Sequence, residues 1–569
     1  MSSEGVTLRR YSDDHKHSKE IKFSQNFITK NIDIRVQTSN IIQWKNRKKL
    51  FSSTSTSTSS SSSSSSYSSS SFQSPSSLHG MADILLGLYK AGSVTYVGLV
   101  THSIPCGEDF PNTLKVDEVK FLAVDGYEKG HRLSSSDQKE LDLLYSSFGR
   151  HDFYFSMNPR TYDVTRTVQG NDQLSSFYRS TDGSKSIFPS TFKDCDNRFY
   201  WNYVALETIV KAINLQEHIE LEREIILNTW ITPVTSAAVS SFAFDMNNTT
   251  YSISLVSRRS RSRQGPRLRT RGIDSYGNVA NFVETEQILR SRDINDNDMV
   301  ASFVQIRGSL PLFWEQADRF MPKPAITLRH EQVSEHGAAM ATHLQDLQLN
   351  YVSRFENDTC HMTSADINVE NYTPSIVLLN LVDKCASQGD IGRYMIQVLD
   401  TLASKSDDES TDENSLSLRN RSHVTLSDYR FLFNSTYRSP ISPSGEYLCN
   451  ESLHNNSGSN LRLVWYDFHH HHQGSTLTSA PRTSKVLAGI QDVLMSNSTF
   501  FLKFFNKSAI ANEVYSTNKP LSLFNTRSYV QSKIIRTNCV DSLDRTNVAQ
   551  VYFYRVFCHL HSIVLLSEP

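Results

Sequence analysis

The segment Arg536-Thr-Asn-Cys-Val-Asp-Ser-Leu-Asp-Arg-Thr-Asn547 constrains what this chain can fold into more than any other stretch. It sets Cys539 six positions before Arg545, with five residues between. A loop of that length can wrap a tetrahedral phosphoryl group in backbone N–H groups while an arginine fork takes two of its oxygens. The cysteine then lies beneath the phosphorus as a thiolate, favoured by the arginine charge, the converging N–H dipoles and a helix starting just beyond. Such a loop needs a strand to enter it and a helix to leave it. Ser532-Lys-Ile-Ile535 reads as the strand and Val548 to His561 as the helix, an order that aims the helix N-terminus at the phosphate. The implied chemistry is attack by Cys539, a phosphocysteine intermediate and its hydrolysis by water.

The spacing alone is a weak signal in a chain with seven cysteines, where a buried, inert thiol near an unrelated arginine is the bland reading. The neighbouring residues carry more. The full string resembles the signature of the Sac family of phosphoinositide phosphatases, Arg-x-Asn-Cys-x-Asp-Cys-Leu-Asp-Arg-Thr-Asn, and departs from it only at Ser542, where the family has a second cysteine. Cys539 keeps the nucleophile position, so Ser542 puts redox protection in doubt rather than activity. Upstream, Arg271-Gly-Ile-Asp-Ser-Tyr-Gly-Asn-Val-Ala-Asn-Phe-Val-Glu-Thr-Glu-Gln287 and Ser302-Phe-Val-Gln-Ile-Arg-Gly-Ser-Leu-Pro-Leu-Phe-Trp-Glu-Gln316 resemble two further family segments. Trp230-Ile-Thr-Pro-Val234 and Trp465-Tyr-Asp-Phe-His469 are shorter matches in the family's order, and the resemblance runs from about Met81 to about Gln550.

The resemblance implies an α/β fold: a mixed α+β N-terminal Sac lobe over 81–235, then a cysteine-phosphatase-like α/β catalytic lobe over 236–569. Residues 1–80 read as a disordered tail, basic as far as Lys49 and then serine-rich from Ser52 to Ser71, with too little apolar surface to offset the entropy of ordering. Strands are expected at Val94–Val100, Val119–Val124 and Asp152–Phe155, a helix over Ser136–Phe148, and further strands around Phe242–Val256. Two polar segments, 404–421 and 440–459, read as surface inserts.

A net charge of −1 supplies no global field toward nucleic acid, so no nucleic-acid partner is expected. The cysteines form no Cys-x-x-Cys pair and their number is odd, which suits a reduced cytosolic setting. No apolar run is long enough to span a bilayer. The sequence stops 24 residues past Arg545, leaving no room in it for the inositol 5-phosphatase domain of synaptojanin-like members, and it reads either as a compact member or as a truncated one.

Seven arginines lie between Leu255 and Gly272. Arg258, Arg259, Arg267, Arg269 and Arg271 are expected to form a cationic patch for an anionic lipid surface, against the bland alternative of a solvated charged hairpin. His469–His472 invite a metal, but adjacent histidines diverge, and no metal or other cofactor is expected. Asp541 and Asp544 are the candidate general acids for the leaving inositol oxygen, Asp541 favoured, with Asp467 an acid from outside the loop. Thr546 is expected to hydrogen-bond the sulfur, and Asn538, Ser542 and Asn547 to support the loop.

The resemblance thus implies hydrolysis of phosphatidylinositol monophosphates by a cytoplasmic protein, peripheral on endomembranes, with phosphoinositide lipids and trafficking proteins as partners. Two other readings stand beside it: a weakly active or inactive scaffold for membrane trafficking, and a protein tyrosine phosphatase sharing the Cys-five-Arg loop. The residues flanking Cys539 disfavour the second.

Overall fold

The structure, a computed structural model, describes residues 6–11, 17–25, 32–40, 82–110, 112–124, 134–159, 162–172, 192–216, 220–246, 249–265, 269–293, 297–316, 325–329, 332–351, 375–407, 461–467, 501–506, 528–529, 531, 533–540 and 544–567. Near the N-terminus, β1 (Val6–Tyr11), β2 (His17–Gln25) and β3 (Ile32–Asn40) pair as an antiparallel sheet. The composition of this segment predicts a disordered tail, and the strands depart from that expectation. Its basic residues alternate with Ile, Val and Phe, a strand pattern that average polarity conceals. The serine tract lies outside the described residues.

A continuous sheet then spans the rest. Its first part is β4 (Ile84–Ala91), β5 (Val94–Pro105), β6 (Thr113–Ala123) and β7 (Phe153–Ser156), with α1 (Ser135–Arg150) before β7. The Ser134 hydroxyl caps α1 by accepting the Asp137 N–H at 3.0 Å, and Asp137 and Arg150 sit at the helix ends that suit their charges. Helices α2 (Tyr203–Asn214) and α3 (Glu220–Trp230) follow, packing Leu206, Ile209, Ile213 and Ile226 against Leu85, Val97 and Leu99. Next comes β8 (Val234–Met246), whose first residues pair with β7 and the remainder with β9 (Thr249–Arg259). The boundary expected at 235 therefore falls on a strand shared by both halves of the sheet.

Beyond it lie β10 (Val283–Asp293), β11 (Asn297–Ser309), the short pair β12 (Trp314–Glu315) and β13 (Thr327–Leu328), and α4 (Val333–Tyr351). The chain continues through β14 (Ser375–Asn380), α5 (Ala386–Asp407), β15 (Leu461–Trp465), β16 (Phe501–Asn506), β17 (Ser528–Tyr529), β18 (Lys533–Cys539) and α6 (Asp544–Ser567). The sheet order here is β15-β14-β18-β11-β10-β9-β8, with β15, β14, β18 and β11 mutually parallel. The second half of β11 takes β18, and its first half takes β16 antiparallel.

These parallel strands are covered on both faces, so they read as nearly unbroken apolar runs. Ile376, Leu378 and Ile534 pack under α4 and α5 with Met340, Leu344, Met395 and Leu399. Val377, Leu379 and Ile535 pack under α6 with Ala549, Phe553 and Phe557. The period of two in β14 and β18 is thus read out as two separate cores, and the mixed α/β architecture agrees with the expected class.

The arginine run behaves differently from its sequence reading. Arg258 is fully buried: Nη1 binds Glu284 Oε1 and Nη2 binds Glu286 Oε2, each at 2.9 Å, while Nε donates to Val164 O at 2.7 Å. Arg271 is buried too, donating to Gln316 Oε1 with its guanidinium over the Trp314 ring. Neither can face a lipid surface. Alternation along β9 turns Arg258 into the interior, where Glu284 and Glu286 on one face of β10 neutralise it. Arg259 is half-buried, Arg269 is exposed, and Arg267 lies outside the described residues. Arg258→Ala, which removes the ion-pair partner of buried Glu286 and leaves Glu284 only the more distant Arg198, should cost about 3–5 kcal/mol. Arg269→Ala should stay within about 0.5 kcal/mol, the pair being compared by urea denaturation.

Candidate active site

The carboxyl ends of β15, β14, β18 and β11 finish together: Asn380 is opposite both Trp465 and Asn538, and Ser309 is opposite Cys539. Ligands of parallel α/β sheets bind outside such strand ends, where the strand order reverses. Here β18, last in sequence, fills the slot between β14 and β11. Cys539 is its final residue and is buried. The chain passes through 541–543 into α6, whose first turn carries Arg545 and Thr546.

Arg545 Nη1 donates to Leu381 O at 3.1 Å, to Gln388 Oε1 at 2.9 Å and to Asp383 Oδ1 at 3.3 Å. The arginine and Asp383 are each 16% exposed, an ion pair at the rim of the strand ends. These partners lie on the turn from β14 into α5, which is itself tied to its surroundings. Leu381 N–H donates to Asn538 O at 2.9 Å, Trp465 Nε1 to Val382 O at 2.8 Å, and Lys384 N–H to Asp467 Oδ2 at 2.8 Å. Asp467, the acid expected from outside the loop, therefore accepts a turn N–H from a largely buried position.

Register separates the side chains of β18 by face. Thr537 and Cys539 share the α6 face, and Arg307, opposite Thr537 on β11, shares it with them. Burial lowers the Arg307 pKa. Arg536 and Asn538 take the other face, under α4 and α5. Arg536 is fully buried and donates to Gly308 O at 3.1 Å, Ser309 O at 2.8 Å and Thr537 O at 3.0 Å. It also donates to Asn538 Oδ1, and its Nε to His343 Nε2 at 3.4 Å. Burial pushes its pKa down to about 9, which leaves it charged at neutral pH.

His343 on α4 is buried as well, its pKa held well below the usual value by burial and by Arg536. A neutral imidazole that accepts at Nε2 carries its proton on Nδ1, and Nδ1 faces Gly277 O at 3.1 Å. Gly277 adopts φ +80° in a turn whose Asp274 Oδ1 accepts the N–H groups of Tyr276 and Asn278. A Cβ at Gly277 would come 2.9 Å from His343 N. The Gly277 turn, α4 and β18 are thereby connected through Arg536.

Among the residues expected at the site, Cys539 ends β18 and Arg545 and Thr546 lie in the first turn of α6, whereas the Asn538 side chain turns to the opposite face of β18. Thr546 is fully buried, whereas Asn547 is exposed. Asp541 and Ser542 lie outside the described residues, and Asp544 begins α6 with its side chain outside the description. Sequence reasoning missed Arg307, His343, Asp383 and Gln388, and assigned Arg536 no role. The signal for Asp383 was the apolar run Ser375–Leu381 ending on polar residues, the form of a parallel strand opening into a binding turn. The four histidines from 469 lie outside the described residues, and no group of three or more His, Cys, Asp or Glu among the described residues is placed to hold a metal. No described helix is long and apolar enough to cross a membrane.

A buried cysteine at a parallel-strand end, followed by a helix with an arginine in its first turn, marks the class as a mixed α/β protein whose parallel strands end at a thiol and a cationic helix start. The particular family follows from similarity: residues 83–473 match the SacI homology domain, and the chain belongs to that family. It is 27% identical over 452 residues to phosphatidylinositide phosphatase SAC2 of Danio rerio, covering 74% of this chain and 28% of that protein. Phosphoinositide phosphatase SAC6 of Arabidopsis thaliana is 24% identical, covering 82% of this chain and 58% of that protein. Phosphatidylinositol-3-phosphatase SAC1 of Saccharomyces cerevisiae is 24% identical, covering 74% of this chain and 48% of that protein. The chain thus spans well under two thirds of each of these relatives.

Two measurements probe the geometry. His343 binds a proton in the unfolded chain near pH 6.5 but resists it when folded, so its share of stability is present above that pH and fades on acidification. His343→Gln should flatten the loss of stability between pH 7.5 and pH 5 measured by denaturant unfolding. Gly308→Ala would set a Cβ 2.9 Å from Arg536 Nη2 and 3.0 Å from Val279 Cγ2. It should destabilise the chain by about 1–3 kcal/mol in the same assay.

Proposed function

We propose that the chain is a phosphoinositide phosphatase that hydrolyses the phosphomonoester of phosphatidylinositol monophosphates. The observation that carries the reading is Cys539 at the end of β18 with Arg545 in the first turn of α6, in a chain of the SacI homology domain family. The names of its relatives, phosphoinositide phosphatases, support the substrate class.

In this reading the Cys539 thiolate attacks phosphorus in line with the ester oxygen. The sulfur–phosphorus bond forms, the phosphorus–oxygen bond to the inositol ring breaks, and the leaving oxygen takes a proton from a carboxylic acid. Asp541 or Asp544 is the proposed acid. Asp383, already beside Arg545, is a third carboxylate at the rim and serves to aim the guanidinium rather than to donate. Water then attacks the phosphocysteine, releasing inorganic phosphate and restoring the thiolate. Arg545 and the N-terminus of α6 stabilise the equatorial oxygens through both steps. Exposed Arg269 supplies positive charge toward an anionic membrane, and action on endomembranes as a peripheral protein follows from the substrate.

The test is phosphate release from vesicles carrying each phosphatidylinositol monophosphate, with a phosphotyrosine peptide alongside. Release from at least one lipid, lost in Cys539→Ser and reduced about 100-fold or more in Arg545→Ala, is the expected outcome. Release that survives Cys539→Ser would exclude the thiolate mechanism, release from the peptide alone would make the chain a tyrosine phosphatase, and release from neither would favour the scaffold.

A further inference from the structure

Strand β8 outruns one of its two neighbours. Its first residues pair with β7, and Ala237 N–H donates to Asp152 O at 3.1 Å. Val239 N–H reaches the Tyr154 hydroxyl at 3.4 Å. From there on only β9 accompanies it, in unbroken register to Met246. Backbone groups alternate sides along a strand, so the N–H groups of Ser241, Ala243 and Asp245 point away from β9, as those of Ala237 and Val239 do. Among the described residues these three N–H groups have no partner.

This open edge is apolar on one face. Phe242 is 67% exposed, its ring stacked on Phe244 at 6.1 Å, and Phe244 stacks on Tyr251 at 5.5 Å. Leu255 is exposed on the same face. The other face is covered, since Asp109 accepts the hydroxyls of Ser241, of Ser252 at 2.9 Å and of Ser254 at 3.2 Å. Sheet edges that stay single are blunted by lysine, proline or a bulge. β4, at the far edge of the sheet, has Lys90 and a register break between Leu85 and Gly87. β8 contains no lysine or proline, and its register is unbroken.

We propose that a second copy of this chain pairs with the open edge of β8, antiparallel across a two-fold axis at Ala243. The free groups set the register. Centred there, Ala243 meets its own counterpart and Ser241 meets the second copy's Asp245, so the three open residues of each chain satisfy one another. Centred one residue earlier, Asp245 needs the Val239 N–H already given to Tyr154. Centred one residue later, Ser241 falls opposite position 247, beyond the strand. With Ala243 on the axis, Phe242 lies against the second copy's Phe244 on both sides, in the pair type that brings side chains closest. Asp245 then faces serine and not another aspartate. The contact uses up both edges, so assembly stops at two chains. It also lies at the strand ends remote from Cys539: Phe244, Tyr251, Ser291 and Met299 are register partners in turn, whereas Cys539 is aligned with Ser309.

Sedimentation velocity of the full chain from about 1 to 100 μM should show one chain converting into two. Phe242→Lys puts a charge on the exposed face of the edge and should raise the dissociation constant about 30-fold or more, with the urea midpoint unchanged. Ala243→Cys reads the register. Paired residues of this type have Cα atoms about 5.5 Å apart, so mild oxidation should join two copies through position 243, detected as a linked peptide pair by mass spectrometry. Asp245→Cys, its two copies about 14 Å apart, should not link. A native chain that stays monomeric across the range would overturn the proposal and leave the edge to a foreign strand. So would a dimer that survives Phe242→Lys, that fails to link through position 243, or that links as readily through 245.

Discussion

The arrangement depends on the parallel pairing of β18 between β14 and β11. That strand comes last of the sheet in sequence, yet it fills the central slot, with Gln305–Ser309 on one side and Ser375–Asn380 on the other. Its pairing closes the sheet, brings four strand ends together and carries Cys539 into their midst. It also creates the two apolar layers, because Ile534 and Ile535 contribute to opposite faces. Without it, the turn after β14 would have no Asn538 carbonyl to receive Leu381 N–H, and α6 would have no strand from which to depart.

Charge is then distributed by depth. Arg258 in the interior is matched by two glutamates and ties β9, β10 and the 162–166 segment into one body. Arg545 at the rim is matched by one aspartate and remains close to solvent. Arg536 lies between them in a shell of neutral acceptors. The same residue type thus has three uses, set by which face of a strand or turn of a helix it occupies and by what lies opposite.

Much of this was legible before the fold. The string 536–547 named its cysteine and arginine through their spacing and neighbours, and the apolar runs at 94–100 and 119–124 emerged as strands because β-branched and aromatic residues suit a pleated, half-buried surface. The arginine run was misjudged because a count of charges ignores the period of two. One residue, from Arg258 to Arg259, separates a fully buried ion pair from a half-exposed side chain. The strands near the N-terminus escaped because composition averages over the same alternation.

By itself, the sequence determined which chemical groups were available and the order of the elements carrying them: a strand that ends on the cysteine and a helix that carries the arginine. Local spacing suffices for that, since backbone geometry over a few residues follows from the chain alone. Only the tertiary structure decided that Asp383, more than 150 residues upstream, meets Arg545, and that Gly308 and His343 enclose Arg536. Those contacts follow from strand register and helix packing across distant segments, where the free energy belongs to the assembled sheet and not to any stretch that can be read in isolation.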